Sequence, residues 1–586
     1  MNKNTSFFEL FLFPNRILIF SLGITFFLSY FLTFQNHSPF ELLLEAESPP
    51  KIIASDGLGY YAPLPALLFE HSLNYVHLTH SYWTAPWNKA WRTPIGEREL
   101  NKYSWGPALL WSPFFIIGIG ISWILNMPLV GNSPVFDWMI QWAGLFYLFI
   151  GLYFSFQLTH GSKLIRWVFL IGIILATPLF YYSVFEPSMS HVLGFAITSI
   201  WLYFLNKKDN STTPSLFLWF SWGLLLSIRL SHLLWLPLFW ILPNNHNTFL
   251  DKFLQTLKAS SIGILVYGIQ VLKGYAECGM WVWKPYPDEG FYGFDPQVTE
   301  FMFGIRKGMF VYSPWVLPLF ISLYLWSYKE WKPRLIWIGS LSLIVYVYAA
   351  WWNPGYGDGF GQRILCDVLP VWILGGSSAF QAYSWKGKTP LFVGLTAICA
   401  TLSLFQVWQY RVGIIPHSGN TSDSYLATFL KTDYVRSGCM LGAGEYPYYI
   451  PEGAWKWNGP KDCTRNELSL PVEPIEILPE DLYAQTSVLD IRKYKSKSLY
   501  VKFKYKFISE SLGNSKDVFR VVEILDTSGK KLQYMAMRLS PVCSPVYGHP
   551  YIHKHSWNYF RLPENAQFLK TYYWNPNQQK IKIQKE

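Results

Sequence analysis

Leu335-Ile-Trp-Ile-Gly-Ser-Leu-Ser-Leu-Ile-Val-Tyr-Val-Tyr-Ala-Ala-Trp-Trp352 carries no charged residue and runs straight into Asn-Pro-Gly-Tyr-Gly-Asp-Gly-Phe-Gly-Gln-Arg363. The first part is nearly long enough to cross a hydrocarbon core of about 30 Å, which takes roughly 20 helical residues. Ile17–Phe34 and Trp167–Phe180 are runs of the same kind. Composition agrees: of 586 residues 51% are hydrophobic and 15% charged, and 29 Trp, 38 Tyr and 44 Phe bring the aromatic share to 19%. That excludes an ordinary soluble domain, a disordered chain and a coiled coil. The reading is a mostly α, polytopic membrane protein.

The net charge of +11, from 48 Lys and Arg against 37 Asp and Glu, is decided by position. Basic residues recur between apolar runs at Lys3/Arg16, Lys163/Arg166, Lys207/Lys208, Lys252/Lys258, Lys329/Lys332/Arg334 and Lys386/Lys388. The positive-inside rule places these connections in the cytoplasm. No zinc spacing, phosphate-cradling Gly loop or RNA-binding aromatic motif accompanies the charge, so no nucleic acid is expected. The runs between are 17–36, 136–157, 167–184, 191–206, 214–228, 230–243, 258–274, 309–327, 335–352, 365–384 and 389–409, about eleven spans. The first reads as uncleaved, since it lacks a small-residue cleavage site. Trp105–Leu125 would invert every later basic loop if it crossed, so it reads as an outer juxtamembrane or re-entrant helix. The 214–242 stretch reads as two short helices turning near Arg229.

This topology gives a transmembrane domain over 1–410 with a large outer loop at 37–135, a linker at 411–450, and a β-rich domain at 451–586 on the outer side. From 411 onward the chain holds half its basic residues and its apolar runs shorten to strand length. Val501-Lys-Phe-Lys-Tyr-Lys-Phe507 alternates with a period of two; Val518–Leu525 and Leu532–Arg538 flank the turn Asp526-Thr-Ser-Gly529. Further strands are expected at Ser556–Leu562, Gln567–Trp574 and Lys580–Ile583, giving a β-sandwich-like domain. The Lys row of the first strand reads as a solvated face. Six cysteines show no CxxC; Cys439 and Cys463 are candidates for a disulfide if that region faces an oxidising compartment, with the connectivity left open.

Candidate chemistry lies on the outer face. Ser55-Asp-Gly-Leu-Gly-Tyr-Tyr61 sets a carboxylate, Asp56, among glycines that admit close approach, with Tyr60 and Tyr61 able to stack on sugar faces. The alternative for Asp56 is a helix N-cap. Glu186, in Phe185-Glu-Pro-Ser-Met-Ser-His191, is a second carboxylate on that face, and paired carboxylates serve glycosyl chemistry; His191 is a weaker candidate. Lys102, Arg229, Arg306, Lys307 and Arg363 oppose the topological bias and read together as an anion site, with ion pairing to Asp358 or Asp367 or lipid phosphate as the alternative. Trp351, Trp352 and Tyr356 border four glycines in seven residues, a backbone-lined ligand loop or a tight reversal.

Those motifs, with Arg306-Lys-Gly-Met-Phe-Val-Tyr-Ser-Pro314, resemble bacterial membrane proteins of the GT-C glycosyltransferase superfamily, which includes aminoarabinose transferases of lipid A and protein O-mannosyltransferases. The likeness spans roughly residues 15–410. It implies a polyprenyl-phosphate sugar donor used at the outer face of the bacterial inner membrane, with a glycan, lipid or protein acceptor. Asp56 matches the family's catalytic acid of the first outer loop and Glu186 its second acid. Lys102 resembles the lysine that grips the carrier phosphate, although the chain has Lys-Tyr-Ser-Trp-Gly-Pro107 where the family often has Lys-Pro-Pro. Asp56 is then the base, with Lys102, Arg306 and Arg363 on the phosphate. No metal is required unless the donor is a pyrophosphate, for which Asp56 and Glu186 would hold a divalent ion. A lipid-linked glycan flippase or transporter and a non-catalytic membrane scaffold are the alternatives from other classes.

Overall fold

The computed structural model describes residues 52–73, 75, 91–95, 98–207, 212–242, 248–286, 290–291, 293–294, 296–325, 331–351, 353–357, 359–382, 389–411, 415, 425, 429–430, 466–469, 473–493, 498–509, 518–538, 551–561, 565–575 and 581–584. The expected span at 17–36, the basic connections at 208–211, 326–330 and 383–388, Trp352, Asp358 and the Cys439/Cys463 pair fall outside them. The protein is mostly helical with a few small sheets.

Among the described residues three helices are long and apolar enough to cross a membrane: Gly106–Ile124, Pro134–Leu158 and Thr389–Arg411. Lipid contact suits the helical surface, where Leu216, Phe220, Ile264, Leu265 and Leu391 are all more than 60% exposed. The first of the three lies in the expected outer helix at Trp105–Leu125 and is one continuous 19-residue helix despite Pro113, without the broken backbone of a re-entrant segment. Other expected spans are divided, and proline is the physical reason. The 167–184 run becomes Lys163–Leu175 and Leu179–Val184, parted at Pro178. The 309–327 run becomes Met309–Tyr312 and Val316–Leu325, parted at Pro314. A proline ring clashes with the preceding turn and withholds an N–H. The 258–274 run lies inside a longer helix, Phe249–Cys278, closed by Gly279 in the left-handed region (φ 73°). The 214–242 stretch does break at Arg229: Thr212–Ile228 is helical, Arg229 is extended, and Leu230–Trp235 is a 3₁₀ turn.

The chain forms two compact units. The first comprises residues 1–290, 315–344 and 363–400. At its centre His191–Asn206 packs between Pro134–Leu158 and Leu365–Ala382, with Ser155 and Ser199 hydroxyls 3.0 Å apart across one seam. A short hairpin, Arg92–Ile95 with Arg98–Asn101, carries the chain toward Lys102.

The second unit comprises residues 291–314, 345–362 and 401–586. It thus takes in two inter-helix segments along with the strand-rich tail. Tyr483–Asp490, Phe568–Trp574, Phe519–Leu525 and Lys531–Arg538 form an antiparallel sheet in that spatial order. The expected turn is there: the Asp526 carboxylate accepts from the Ser528 and Lys530 amides at 2.8 and 2.9 Å, and Gly529 takes φ 80°. A five-stranded sheet contains the alternating strand, Ser498–Ser509, paired antiparallel with Tyr551–Arg561 and Ile581–Gln584 and parallel with Asn466–Ser469.

Candidate functional site

Asp56 opens a short helix, Asp56–Tyr61, and the residue before it is held in an unusual backbone conformation, Ser55 at φ 53°, ψ −129°. A non-glycine residue there costs of order 1–3 kcal/mol and persists only where its surroundings enforce it. The enforcement is visible. The buried Asp137 carboxylate, in the first turn of Pro134–Leu158, accepts the backbone amides of Ile52 and Ile53 at 3.0 and 2.8 Å. The Ser188 hydroxyl donates to the Ile52 carbonyl at 2.6 Å, Asn101 Nδ2 to the Gly59 carbonyl at 2.7 Å, and the Tyr61 hydroxyl to the Gly131 carbonyl at 2.7 Å.

The two glycines after Asp56 serve this clamp. A Cβ on Gly57 would lie 2.2 Å from Ser188 Oγ, and one on Gly59 2.3 Å from the Tyr103 ring. What approaches the backbone there is the protein's own side chains, where the sequence suggested a ligand. The capping alternative for Asp56 is also replaced, because the helix starts at Asp56 itself and its carboxylate is engaged elsewhere.

That engagement defines the site. Asp56 Oδ1 accepts from the Tyr103 hydroxyl at 2.6 Å, and Oδ2 faces Arg363 Nη2 at 2.8 Å. The Asp56 side chain keeps 25% exposure and Arg363 keeps 13%, so the pair is largely desolvated yet reachable. Burial pushes the Asp56 carboxyl up, but Arg363, the Tyr103 hydroxyl and Lys102 together hold it below the usual value. Burial and the adjacent carboxylate drive the Tyr103 hydroxyl far up, so it remains a donor. Lys102 Nζ sits 5.6 and 5.3 Å from the Tyr103 and Tyr286 ring centres, and the Tyr60 ring lies 4.6 Å from that of Tyr103. Of the residues expected in the site, Asp56, Lys102, Arg363 and Tyr60 therefore stand together. Tyr61 is fully buried behind them.

Arg229 and His191 join a different carboxylate. Asp367, fully buried in the first turn of Leu365–Ala382, has His191 Nδ1 at 3.4 Å and Arg229 Nη1 and His232 Nε2 both at 3.5 Å. Arg229 also donates to Ser190 Oγ at 2.9 Å and meets His191 Nε2 at 3.2 Å. This cluster sits one helical turn from Arg363, whose carbonyl accepts the Cys366 amide at 3.2 Å. The Asp367 carboxylate occupies the space a side chain at Gly194 would take, 2.6 Å from a Cβ there. Glu186 accepts from the Tyr181 hydroxyl at 2.7 Å.

Arg306 and Lys307 belong to the second unit. They lie against the glycine loop: a Cβ on Gly355 would be 3.7 Å from Arg306 Cζ and 3.6 Å from Lys307 Cγ. The Lys307 ammonium donates to the Gly359 carbonyl. Tyr356, at φ 54°, donates through its hydroxyl to the Tyr348 carbonyl at 3.0 Å, and Trp351 pairs edge-on with Phe291 at 4.8 Å.

Sequence reasoning missed Tyr103, Asp137, Asn101 and His232 and gave Asp367 only as an ion-pair partner. Only Asp137 and Asp367 left a signal, an acid in the first turn of an apolar helix, and that signal reads equally as favourable interaction with the helix dipole. Among the described residues no group of His, Cys, Asp and Glu is arranged to hold a metal ion. In comparisons with known proteins, no family model and no curated protein matches the chain.

Proposed function

We propose that the protein is an integral membrane glycosyltransferase that moves a sugar from a polyprenyl-phosphate donor to an envelope glycan, lipid or protein acceptor on the outer face of the bacterial inner membrane. In this reading the helices form a GT-C-like bundle of about eleven spans, and the strand-rich tail is a β-sandwich-like domain outside. The observation that carries it is the Asp56–Arg363 pair, a reachable carboxylate held beside a guanidinium at the end of a strained, clamped segment.

The pair suits the chemistry. Transfer forms a bond from the acceptor oxygen to C1 of the sugar and breaks the bond from C1 to the carrier phosphate. The acceptor proton goes to the base, and the phosphate leaves with the bonding electrons. While Arg363 holds Asp56, the carboxylate is a weak base. A donor phosphate that takes over Arg363 removes the main influence lowering the Asp56 carboxyl, so the base strengthens when the donor is present. Lys102 is the second cation for the phosphate, and Tyr60 with Tyr286 supplies aromatic surface beside it. Tyr103 keeps the carboxylate aimed.

Mass analysis of envelope glycans with and without the gene tests the reading: a sugar missing from one acceptor class is the expected result. A transporter reading has one observation in its favour, the fully buried Asp367 among His191, His232 and Arg229. Vesicles holding the purified protein separate the two, since a transporter moves the lipid-linked sugar across the bilayer with the bond from C1 to phosphate intact.

A further inference from the structure

Arg306 is 5% exposed and Lys307 4%. Arg306 makes no hydrogen bond through its buried Nε, and among the described residues no carboxylate stands within ion-pair distance of it. Every other strongly buried cation of the candidate site has a partner: Arg363 has Asp56, Arg229 has Asp367, and Lys307 has the Gly359 carbonyl. Glu300 is the acid nearest in effect, and burial pushes its carboxyl up to about 7 even with Arg306 opposing, so near neutrality it is an incomplete counter-charge. A guanidinium removed from water without a partner carries a large desolvation cost, which a protein retains only where something else supplies the negative charge.

The surroundings are built for an oxyanion. Gly355 brings the loop backbone against the guanidinium, since a Cβ there would already be in contact with Arg306 Cζ at 3.7 Å. Tyr356, Gly357, Gly359 and Gly361 take φ of 54°, 77°, 131° and 57°, so the loop reverses repeatedly. Turn backbone of this kind presents N–H groups to anions, and the absent side chains permit close approach. The loop is itself fixed: Asn353 accepts the Gly355 amide at 3.1 Å, and Gln362 donates to the Pro354 carbonyl at 2.8 Å. Lys307 adds a second positive charge at the same wall.

We propose that Arg306 and Lys307, with residues 353–357 and 359–362 of the glycine loop, form a phosphate-binding site of the second unit, with Arg306 as the two-pronged ligand. The class is a tetrahedral phosphoryl oxyanion, whose edge matches the guanidinium fork. Its source is either a soluble phosphate group or the phosphodiester of an anionic lipid. The site stands on its own observations and survives if Asp56 and Arg363 prove to have no part in sugar transfer.

The test is thermal unfolding of the full chain with two probes: inorganic phosphate added to detergent-solubilised protein, and reconstitution in phosphatidylcholine vesicles with or without phosphatidylglycerol. At least one probe should raise the unfolding temperature of the wild-type chain; a response to phosphate identifies a soluble source, and a response to phosphatidylglycerol alone identifies a lipid. Arg306→Gln should abolish the rise, Arg306→Lys should keep part of it, and Arg363→Gln should leave the difference between the Arg306 variants in place. In probe-free detergent Arg306→Gln should be at least as stable as wild type, because it removes an uncompensated charge. No response to either probe, a full response in Arg306→Gln, or an Arg306→Gln chain that is less stable than wild type without probe each overturns the proposal, the last by showing an ordinary structural role.

Discussion

Arg363 and Arg306 are both nearly buried guanidinium groups in an apolar chain, and they are treated oppositely. Arg363 is met by a carboxylate of its own unit at 2.8 Å, whereas Arg306 has no such partner among the described residues. A ligand for the first must compete with Asp56; among the described residues a ligand for the second meets only Glu300, whose charge is incomplete near neutrality. The paired cation is therefore suited to a step in which binding releases something, here a base. The unpaired one is suited to plain retention. Sequence position alone, with both arginines near one stretch of glycine-rich chain, gives them the same role.

The sharpest way to break this comparison is Asp56→Asn, which removes the base and strands Arg363 in the condition of Arg306. Sugar transfer by the purified variant should fall by about 100- to 10,000-fold, the range for losing a general base. Near-normal turnover would remove Asp56 from the mechanism.

A smaller effect is expected from Asp137, which touches neither arginine. Asp137→Ala leaves the Ile52 and Ile53 amides without their acceptor and should cost about 1–3 kcal/mol, measured by denaturant or thermal unfolding. Transfer should also drop as the strained Ser55 relaxes, while Asp137→Asn restores part of both. Unchanged stability would mean that the clamp does not hold the Asp56 segment.

The pairing itself is measured by a double-mutant cycle on Asp56→Asn and Arg363→Gln. Both side chains keep some solvent, so a coupling of about 1 kcal/mol is expected, below that of a fully buried pair. The same cycle on Arg306→Gln and Asp56→Asn should give no coupling. Equal couplings would erase the distinction drawn between the two arginines.

Much of this was legible in the residues. The apolar runs gave the helical class, and the Asp526–Gly529 turn and the period-two strand gave the tail its sheets. Asp56, Lys102 and Arg363 stood out because charge in apolar surroundings is costly wherever it occurs. Span integrity was less legible, since hydropathy sums over prolines that divide the helix at 178 and 314. Partner choice was legible only as an alternative, in the ion pairing to Asp367 set beside the joint anion site. Arg229 reads as a phosphate ligand by its position, but it goes to Asp367 because Gly194 opens room for that carboxylate, a packing fact that joins three stretches far apart in the sequence. Glycines 57 and 59 were recognised as sites of close approach, yet only the fold identifies Ser188 and Tyr103 as what approaches.

The smallest effect concerns Glu300 and probes the unpaired arginine through pH. Burial pushes this carboxyl up to about 7, with Arg306 opposing. A folded-state value above the ordinary one means that the folded chain holds the proton more tightly than the unfolded chain. The stability this contributes is fully present below the ordinary carboxyl range and is lost as pH rises through about 7. Glu300→Gln should flatten that part of the stability profile. Binding should follow the same proton: below about 7 the Glu300 charge is gone, Arg306 is left without opposition, and a singly charged diester binds more tightly. Dimethyl phosphate is the useful probe, because its own charge is constant over this range. Its affinity should rise a few-fold, about 1 kcal/mol or less given the partial exposure of Glu300, as pH falls from 8 to 6. In Glu300→Gln the affinity should be high and independent of pH. A wild-type affinity that does not change with pH, or one that weakens in acid, would show that Glu300 does not face the anion bound by Arg306.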